Sequence, residues 1–476
     1  MSKVLLVNSP SPDRYIYIRD VNRSGRRSRE GTIWPQTSLA YIAAMVKNSG
    51  HSVDIIDCIA DNINWAGCRK ILEETKPDYI ITNPISSIVT NDLYVTYLGK
   101  TIGSITIAVG PHVTALPKES LNEYPSLDFV VMGEAEITVC ELINCLEKKG
   151  NLESVDGIAF RNGKEHVLTK KRKLISNLDD LPLPLHELLP IKKHRLPYIG
   201  KNYTFVLSSR GCPYLCTFCR QPIMWERLVR TRSAKSIFQE LQYITKIGIN
   251  NFMFHSDTFT IDRDVVIDLC KMVVDSKMKL RWCCNSRVDT MDEEMLCWMK
   301  RAGCWLINYG IETASDEILK NVKKGGTATV VKAYDIVKLT KKTGIKVWGY
   351  FIIGLPGETK ETIEETINMA KGLPFDIVNF AVGTPYPGTE FYKEAKEKGW
   401  LESKSWEDFD QNYSAIVSYP GLSSTDIIKG IRNCYLKWYL RPIGILSFLK
   451  GISNFYFAKK MFNIALDHIQ IVPKKQ

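Results

Sequence analysis

At 476 residues the chain is longer than one hydrophobic core sustains, roughly 250–300 residues, so two or three domains are expected. Apolar content of 45% beside 24% charged residues excludes a disordered or fibrous chain, and no apolar run reaches the ~18 residues a membrane-spanning helix needs. Thirteen cysteines, an odd number scattered over a chain whose N-terminus lacks a signal-peptide layout, point to free thiols in a reducing cytoplasm and away from a disulfide framework.

Residues 1–150 read as repeated strand–helix units. KVLLVN (3–8), SVDIIDC (52–58), DYIIT (78–82), ITIAVG (105–110) and DFVVMG (128–133) are short β-branched runs, separated by helical stretches such as SLAYIAAMVKNSG. Continuous apolar strands alternating with helices predict a doubly wound parallel sheet covered on both faces. Ligands of such sheets sit at the carboxyl ends of the strands, where the loops NPISSIVTNDL, AVGPHVTALP and VMGEAE emerge. Residues 151–200 follow as a hairpin, with Asn162-Gly163 at its turn, and a proline-punctuated linker, LDDLPLPLHELLP.

From residue 203 a second series begins: YTFVLSS, NFMFHS, LRWCCNS, WLINYGIE, KVWGYFIIG and FDIVNFAVG, with amphipathic helices between them. Six parallel units over residues 201–400 predict a partial (β/α)6 barrel, whose chemistry belongs on the loops after the strands. Residues 401–476 form a helical extension mixing Trp, Tyr, Phe and Leu with Lys and Arg. Two roles suit it: a cap over the barrel, or a peripheral contact with an anionic membrane that would bring in a lipid-like substrate.

The net charge of +11 is uneven, with Arg14, Arg19, Arg23, Arg26, Arg27 and Arg29 in one cluster and Lys170, Lys171, Arg172 and Lys173 in another. Both read as solvated faces and counter-charge for phosphate-bearing cofactors, and no nucleic-acid partner is expected.

The loop after the first barrel strand is SSRGCPYLCTFCRQP, with Cys212, Cys216 and Cys219 in C-x3-C-x2-C spacing. A structural zinc or an electron-transfer cluster asks for four ligands, so three thiolates at a barrel mouth leave one position of a four-iron cluster open. Cys283 and Cys284 lie inside a strand, and Cys140, Cys145, Cys270, Cys297 and Cys304 read as small hydrophobes on element faces.

The triplet resembles that of the radical S-adenosylmethionine (SAM) superfamily. Phe218 before the third cysteine, and the stretches FHSDTFTID, NSRVD, YGIETASDEILKNVKKG, GYFIIGLPGET and TPYPGTE, follow in the order that family shows. AVGPHVTALPKE and FVVMGEAEITVCEL are similar to the cobalamin-binding domain fused to one branch of it, which includes methyltransferases and the anaerobic magnesium-protoporphyrin ester cyclase. The resemblance implies a Rossmann-like cobalamin-binding domain over 1–150 and a [4Fe-4S] cluster held by Cys212, Cys216 and Cys219. It implies SAM contacts at Phe218, Ser256, Asp257, Arg287 and Glu312, and a cobalamin nucleotide tail lined by Ser86, Ser87, Gly110, Pro111, His112, Gly133 and Glu134.

The implied activity is reductive cleavage of SAM to a 5'-deoxyadenosyl radical, coupled to cobalamin-dependent methylation of an unactivated carbon in a small-molecule or lipid-like substrate. The electron would come from a flavodoxin or ferredoxin. A cobalamin-dependent cyclase or rearrangement enzyme is the alternative, and a non-catalytic cobalamin-binding sensor or carrier a further one. No residue is assigned to proton transfer or covalent catalysis. Two departures from the branch stand out: the first strand runs into NSPSPDRYIYIRDVNRSGRR without the histidine of D-x-H-x-x-G, so a base-off cobalt is expected, and Ser256 stands where an aspartate is usual.

Overall fold

The structure, a computed structural model, describes residues 1–442 apart from 14, 21–22, 29–30 and 197–198. The chain forms two compact units: Met1–Pro213 with Arg220–Phe252 and Pro387–Thr389, and Tyr214–Cys219 with Met253–Tyr386 and the chain from Glu390 onward.

In the first unit β1 (Lys3–Asn8), β4 (Ser52–Asp57), β5 (Tyr79–Thr82), β6 (Ile105–Ala108) and β7 (Phe129–Val131) form the parallel part of one sheet in the order β4-β1-β5-β6-β7. Alternate residues of a strand serve opposite faces. Val4 and Leu6 pack with Leu39, Ala43 and Val46 of the helix Thr37–Asn48 and with Val139 and Leu142 of the helix Ala135–Glu147. Leu5 and Val7 pack with Leu72, Val95 and Leu98 from the helices Trp65–Thr75 and Val89–Thr101. Because the chain leaves β1 for β4 on one side and then crosses back to β5 on the other, the winding reverses between β1 and β5 and opens a crevice at their carboxyl ends.

Two features differ from the sequence reading. The arginine-rich segment after β1 is not a solvated loop: it holds a hairpin, β2 (Tyr17–Asp20) and β3 (Arg23–Arg27), and Arg19 is buried with its guanidinium on Asp92 at 2.6 Å and near Asn8 Oδ1 at 3.4 Å. The second hairpin, β8 (Ile158–Asn162) and β9 (Glu165–Leu168), joins the sheet antiparallel beside β7. Unpaired, β7 would leave a bare apolar edge, and Ile158, Ala159 and Phe160 bury it. Asn162 pairs with Glu165, so the two-residue turn falls on Gly163 (φ +62°) and Lys164, one position later than expected.

Residues 220–252 are tied into the first unit by buried polar groups. Glu240 accepts from Arg232, from Tyr41 at 3.3 Å and pairs with His186 at 3.1 Å, while the other ring nitrogen of His186 lies 3.0 Å from Thr204 Oγ1.

The barrel strands follow in chain order as β10 (Tyr203–Val206), β11 (Asn251–Phe254), β12 (Arg281–Ser286), β13 (Cys304–Glu312), β14 (Lys346–Ile353) and β15 (Ile377–Val382). Each of the first five precedes a helix whose first turn is capped by a side chain: Ser233, Asp262, Asp292, Thr329 and Thr359 accept from the backbone N–H three residues on. In the second unit β12 to β15 pair parallel in sequence order. Tyr309 points toward the helix Val330–Lys342, where its hydroxyl meets Thr340 Oγ1 at 2.9 Å, so Asn308 and Gly310 take the opposite face. Ser424–Tyr439 is the helix of the C-terminal extension; the basic-aromatic stretch from residue 443 lies outside the described residues.

None of the thirteen cysteines, all among the described residues, forms a disulfide. Cys140, Cys270, Cys283, Cys284 and Cys304 are buried as packing thiols, Cys145 is half-buried, and Cys297, contrary to its reading as a small hydrophobe, is exposed on its helix. Burial pushes the Cys283 and Cys284 thiols well up, which makes them poor nucleophiles and poor metal ligands.

Candidate functional site

The strand-end loops of the second unit converge on a compact polar cluster. Thr217 N–H donates to Val322 O at 3.0 Å, and Cys216, buried, lies with its sulfur 3.8 Å from Lys324 O. The segment after Glu312 therefore folds back against the cysteine loop. Arg287, just past β12, donates to Lys324 O (3.1 Å) and Gly325 O (2.8 Å), forms a fork with Asp289 at 2.8 and 2.9 Å, and stacks 3.4 Å above the Tyr214 ring. At the end of β13, Glu312 receives Lys324 Nζ at 2.5 Å, both side chains being nearly inaccessible.

Glu312 sits at φ +71°, left-handed backbone that a β-bulge between Gly310 and Glu312 imposes. Such strain in a non-glycine residue is found where surrounding structure holds a functional geometry. A Cβ at 310 would stand 2.6 Å from Glu312 Oε1 and 3.2 Å from Lys324 Nζ, so any larger residue there would displace this pair.

The set fits a cluster and its co-ligand. Arg287 and Lys324 are cations held beside the Cys216 loop through the Lys324 carbonyl, which both the Arg287 guanidinium and the Cys216 sulfur approach. Among the described residues no three His, Cys, Asp or Glu side chains close round a single metal ion; the thiolates of a four-iron cube each reach a different iron and stand apart. Buried carboxylate, ammonium and guanidinium groups on one rim offer partners of both signs to the amino and carboxylate groups of an amino acid.

Other expected SAM contacts are placed differently. Phe218 packs against Ile318, Val322, Leu355 and Ile352. Ser256 is buried, with its carbonyl 3.5 Å from Asn285 Nδ2, and Asp257 is half-buried. Lys324, Asp289 and Tyr214 were missed by sequence reasoning, although Lys324 lies in the NVKKG run that follows the strand. Nothing local distinguishes it from its neighbours Lys323 and Lys320.

In the first unit the loops after β5 and β6 meet at the crevice. Ser86 Oγ lies 3.0 Å from His112 Nδ1, and His112, buried, is pushed down to about 3 by burial and by the nearby Arg220 charge, so it is a neutral imidazole. Gly110 turns the chain at φ +103° into the short helix Pro111–Ala115, and Thr114 Oγ1 accepts from Gly133 N–H at 3.1 Å. Asn83, with both amide atoms, and Ser87 Oγ are buried without a protein hydrogen-bond partner at the end of β5. Buried amide and hydroxyl groups are costly unless bonded, so these atoms fit a ligand rich in amides and phosphate oxygens, such as a corrinoid nucleotide tail. Asn83 was not singled out from the sequence. Glu134 turns instead to protein partners: Arg210, Arg230 and the Ile175 N–H.

Comparisons with known proteins agree with this layout. Residues 206–370 match the family model of the radical SAM superfamily, and residues 27–143 that of the B12 binding domain. A Pyrococcus horikoshii protein named uncharacterized methyltransferase PH0819 is 34% identical over 415 residues, covering 87% of this chain and 89% of that one. An anaerobic magnesium-protoporphyrin IX monomethyl ester cyclase of Cereibacter sphaeroides is 27% identical over 90% of this chain and 70% of its own. The fold is shared with the radical S-adenosylmethionine methyltransferase TsrM from Kitasatospora setae, solved with cobalamin and a [4Fe-4S] cluster, at a TM-score of 0.72, 15% identity and coverage of 98% of this chain and 99% of that one. The chain belongs to the radical SAM superfamily, in the branch that carries an N-terminal B12-binding domain, with SAM, a [4Fe-4S] cluster and cobalamin as its cofactors.

Proposed function

We propose that the protein is a cobalamin-dependent radical SAM methyltransferase that modifies an unactivated carbon of a small molecule, with residues 1–150 holding cobalamin and residues 201–400 the cluster and SAM. When bound, the cluster supplies the electron that cleaves SAM, and cobalamin carries the methyl group. In this reading Cys212, Cys216 and Cys219 hold the cluster, while Arg287, Glu312 and Lys324 receive the charged ends of SAM. Asn83, Ser86, Ser87 and the turn at Gly110 take the nucleotide tail.

The observation that carries the reading is the pair of orphaned polar groups, Asn83 and Ser87, at the switch-point crevice of a chain that also holds the cysteine loop. Thirteen cysteines without a disulfide suit a cytoplasmic enzyme fed by a flavodoxin- or ferredoxin-type donor. No helix among the described residues is long and apolar enough to cross a membrane. A lipid-like substrate met through a peripheral contact of the C-terminus is the narrower form of the same proposal.

The cyclase-like relative keeps a second reading open, and product mass separates the two. The anaerobically reconstituted chain, given reductant, SAM and candidate extracts, should produce 5'-deoxyadenosine and S-adenosylhomocysteine together with a product heavier by one methylene. A product with hydrogen lost and no methyl gained would favour cyclisation. No cleavage of SAM by the reduced protein would leave a binding or carrier role.

A further inference from the structure

We propose that Arg230 is a positioning residue, which with Arg210, Glu134 and Glu136 forms a buried ion cluster that fixes the corrinoid-side loop after β7 against the base of the cysteine loop. The proposal rests on the cofactor assignments above. All four residues, with Cys212, lie in the first unit.

The Glu134 carboxylate follows Gly133 at the carboxyl end of β7. Its Oε1 accepts from Nη1 of Arg210 and Nη1 of Arg230, each at 2.9 Å, and its Oε2 from Arg230 Nη1 at 2.8 Å and Ile175 N–H at 2.7 Å. Arg210 Nη2 reaches Glu136 Oε1 at 2.5 Å, and Arg230 Nη1 also donates to Ile175 O at 2.7 Å. The Trp225 ring lies 4.9 Å from the Arg210 guanidinium and 5.9 Å from that of Arg230. Two cations and two anions balance, and no side chain of the four is more than 7% exposed.

Arg210 stands two residues before Cys212, with Gly211 between them. Gly211 adopts φ +86°, and a Cβ there would lie 2.0 Å from Leu228 O. The link from Arg210 to Cys212 therefore runs backbone against backbone, with no side chain to take up slack. A displacement of Arg210 carries into Cys212.

A buried ion cluster is a poor means of gaining stability, since apolar side chains of like volume commonly do as well, but it fixes register through directional bonds. Register matters here because two cofactors must address one reaction, where a misplacement of about 1 Å is costly. Glu134 is thus the joint between the two sides, and Arg230, which clamps both of its oxygens and the Ile175 peptide, holds the joint closed.

The test uses the full chain reconstituted anaerobically with iron, sulfide and hydroxocobalamin, in wild-type, Arg230→Met and Arg230→Lys forms, and needs no substrate. The probe is microwave power saturation of the cobalt(II) resonance with the cluster oxidised and then reduced. The reduced cluster should relax cobalt(II) in the wild type. In Arg230→Met that enhancement should fall at least twofold while iron and corrinoid contents stay at wild-type levels, and Arg230→Lys should recover part of it. If Arg230→Met loads poorly, amide exchange on the cofactor-free chain decides: residues 133–136 and 209–212 should lose protection together. Wild-type relaxation in Arg230→Met, or exchange that changes at only one of the two segments, overturns the proposal. A wild-type protein that binds no corrinoid would instead sink the functional reading beneath it.

Discussion

A carboxylate and an ammonium held 2.5 Å apart with almost no water contact, as Glu312 and Lys324 are, cannot lose one partner cheaply. Replacing Glu312 by Gln strands a buried cation, and we expect a loss of roughly 3–5 kcal/mol in urea unfolding together with weakened SAM binding by equilibrium dialysis. Gly310→Ala should weaken SAM binding through the same pair, because its methyl would displace the carboxylate. Alanine at Cys212, Cys216 or Cys219 should abolish 5'-deoxyadenosine formation and the spectral response of the reconstituted cluster to SAM; persistent cleavage in any of the three would overturn the ligand assignment. Glu358 makes a pH prediction. Burial outweighs the Gly354 and Leu355 N–H groups and pushes its carboxyl from 4.5 up to about 8. The folded chain keeps a proton that the unfolded chain has shed, so this contribution to stability is whole below about pH 4.5 and is lost as pH rises toward about 8. Glu358→Gln should flatten that part of the profile of urea midpoints, whose slope is at most roughly 1.4 kcal/mol per pH unit.

At the scale of elements, the helix Ser424–Tyr439 closes the exposed side of β15. The Tyr435 hydroxyl accepts from Phe380 N–H at 3.0 Å and donates to Phe380 O at 3.1 Å, supplying to a strand backbone the bonds a further strand would make. Tyr435→Phe leaves both peptide groups buried and unbonded and should cost about 1–3 kcal/mol by thermal or urea unfolding, with the cofactor contents unchanged. The strands of both series were legible from short apolar runs, and Ser, Thr or Asp stands before five of the barrel helices where a cap is needed. The β2–β3 hairpin was not legible. β2 carries Arg19, whose partner Asp92 lies some seventy residues away, so nothing local marked it as buried.

For the whole molecule, the cobalt ligand is the sharpest test. His112 is committed to Ser86, and the segment between β1 and the helix Thr37–Asn48 lacks histidine, so the cobalt(II) form should give a base-off resonance without nitrogen splitting. A clear nitrogen splitting would mean that a histidine reaches cobalt. By itself the sequence determined the class of chemistry and the order of elements, because thiolate spacing, strand runs and strand-end glycines act over a few residues. Tertiary structure alone decided which charges are structural and which are available. Glu134, at a strand end beside Gly133, reads as a ligand-facing acid until Arg210 and Arg230 are brought onto it. Lys324 reads as one lysine among several until the loop after β13 folds back and buries it beside Glu312 and Cys216. A buried charge is defined by the partner that compensates it, and that partner is chosen by the fold and not by the neighbouring sequence.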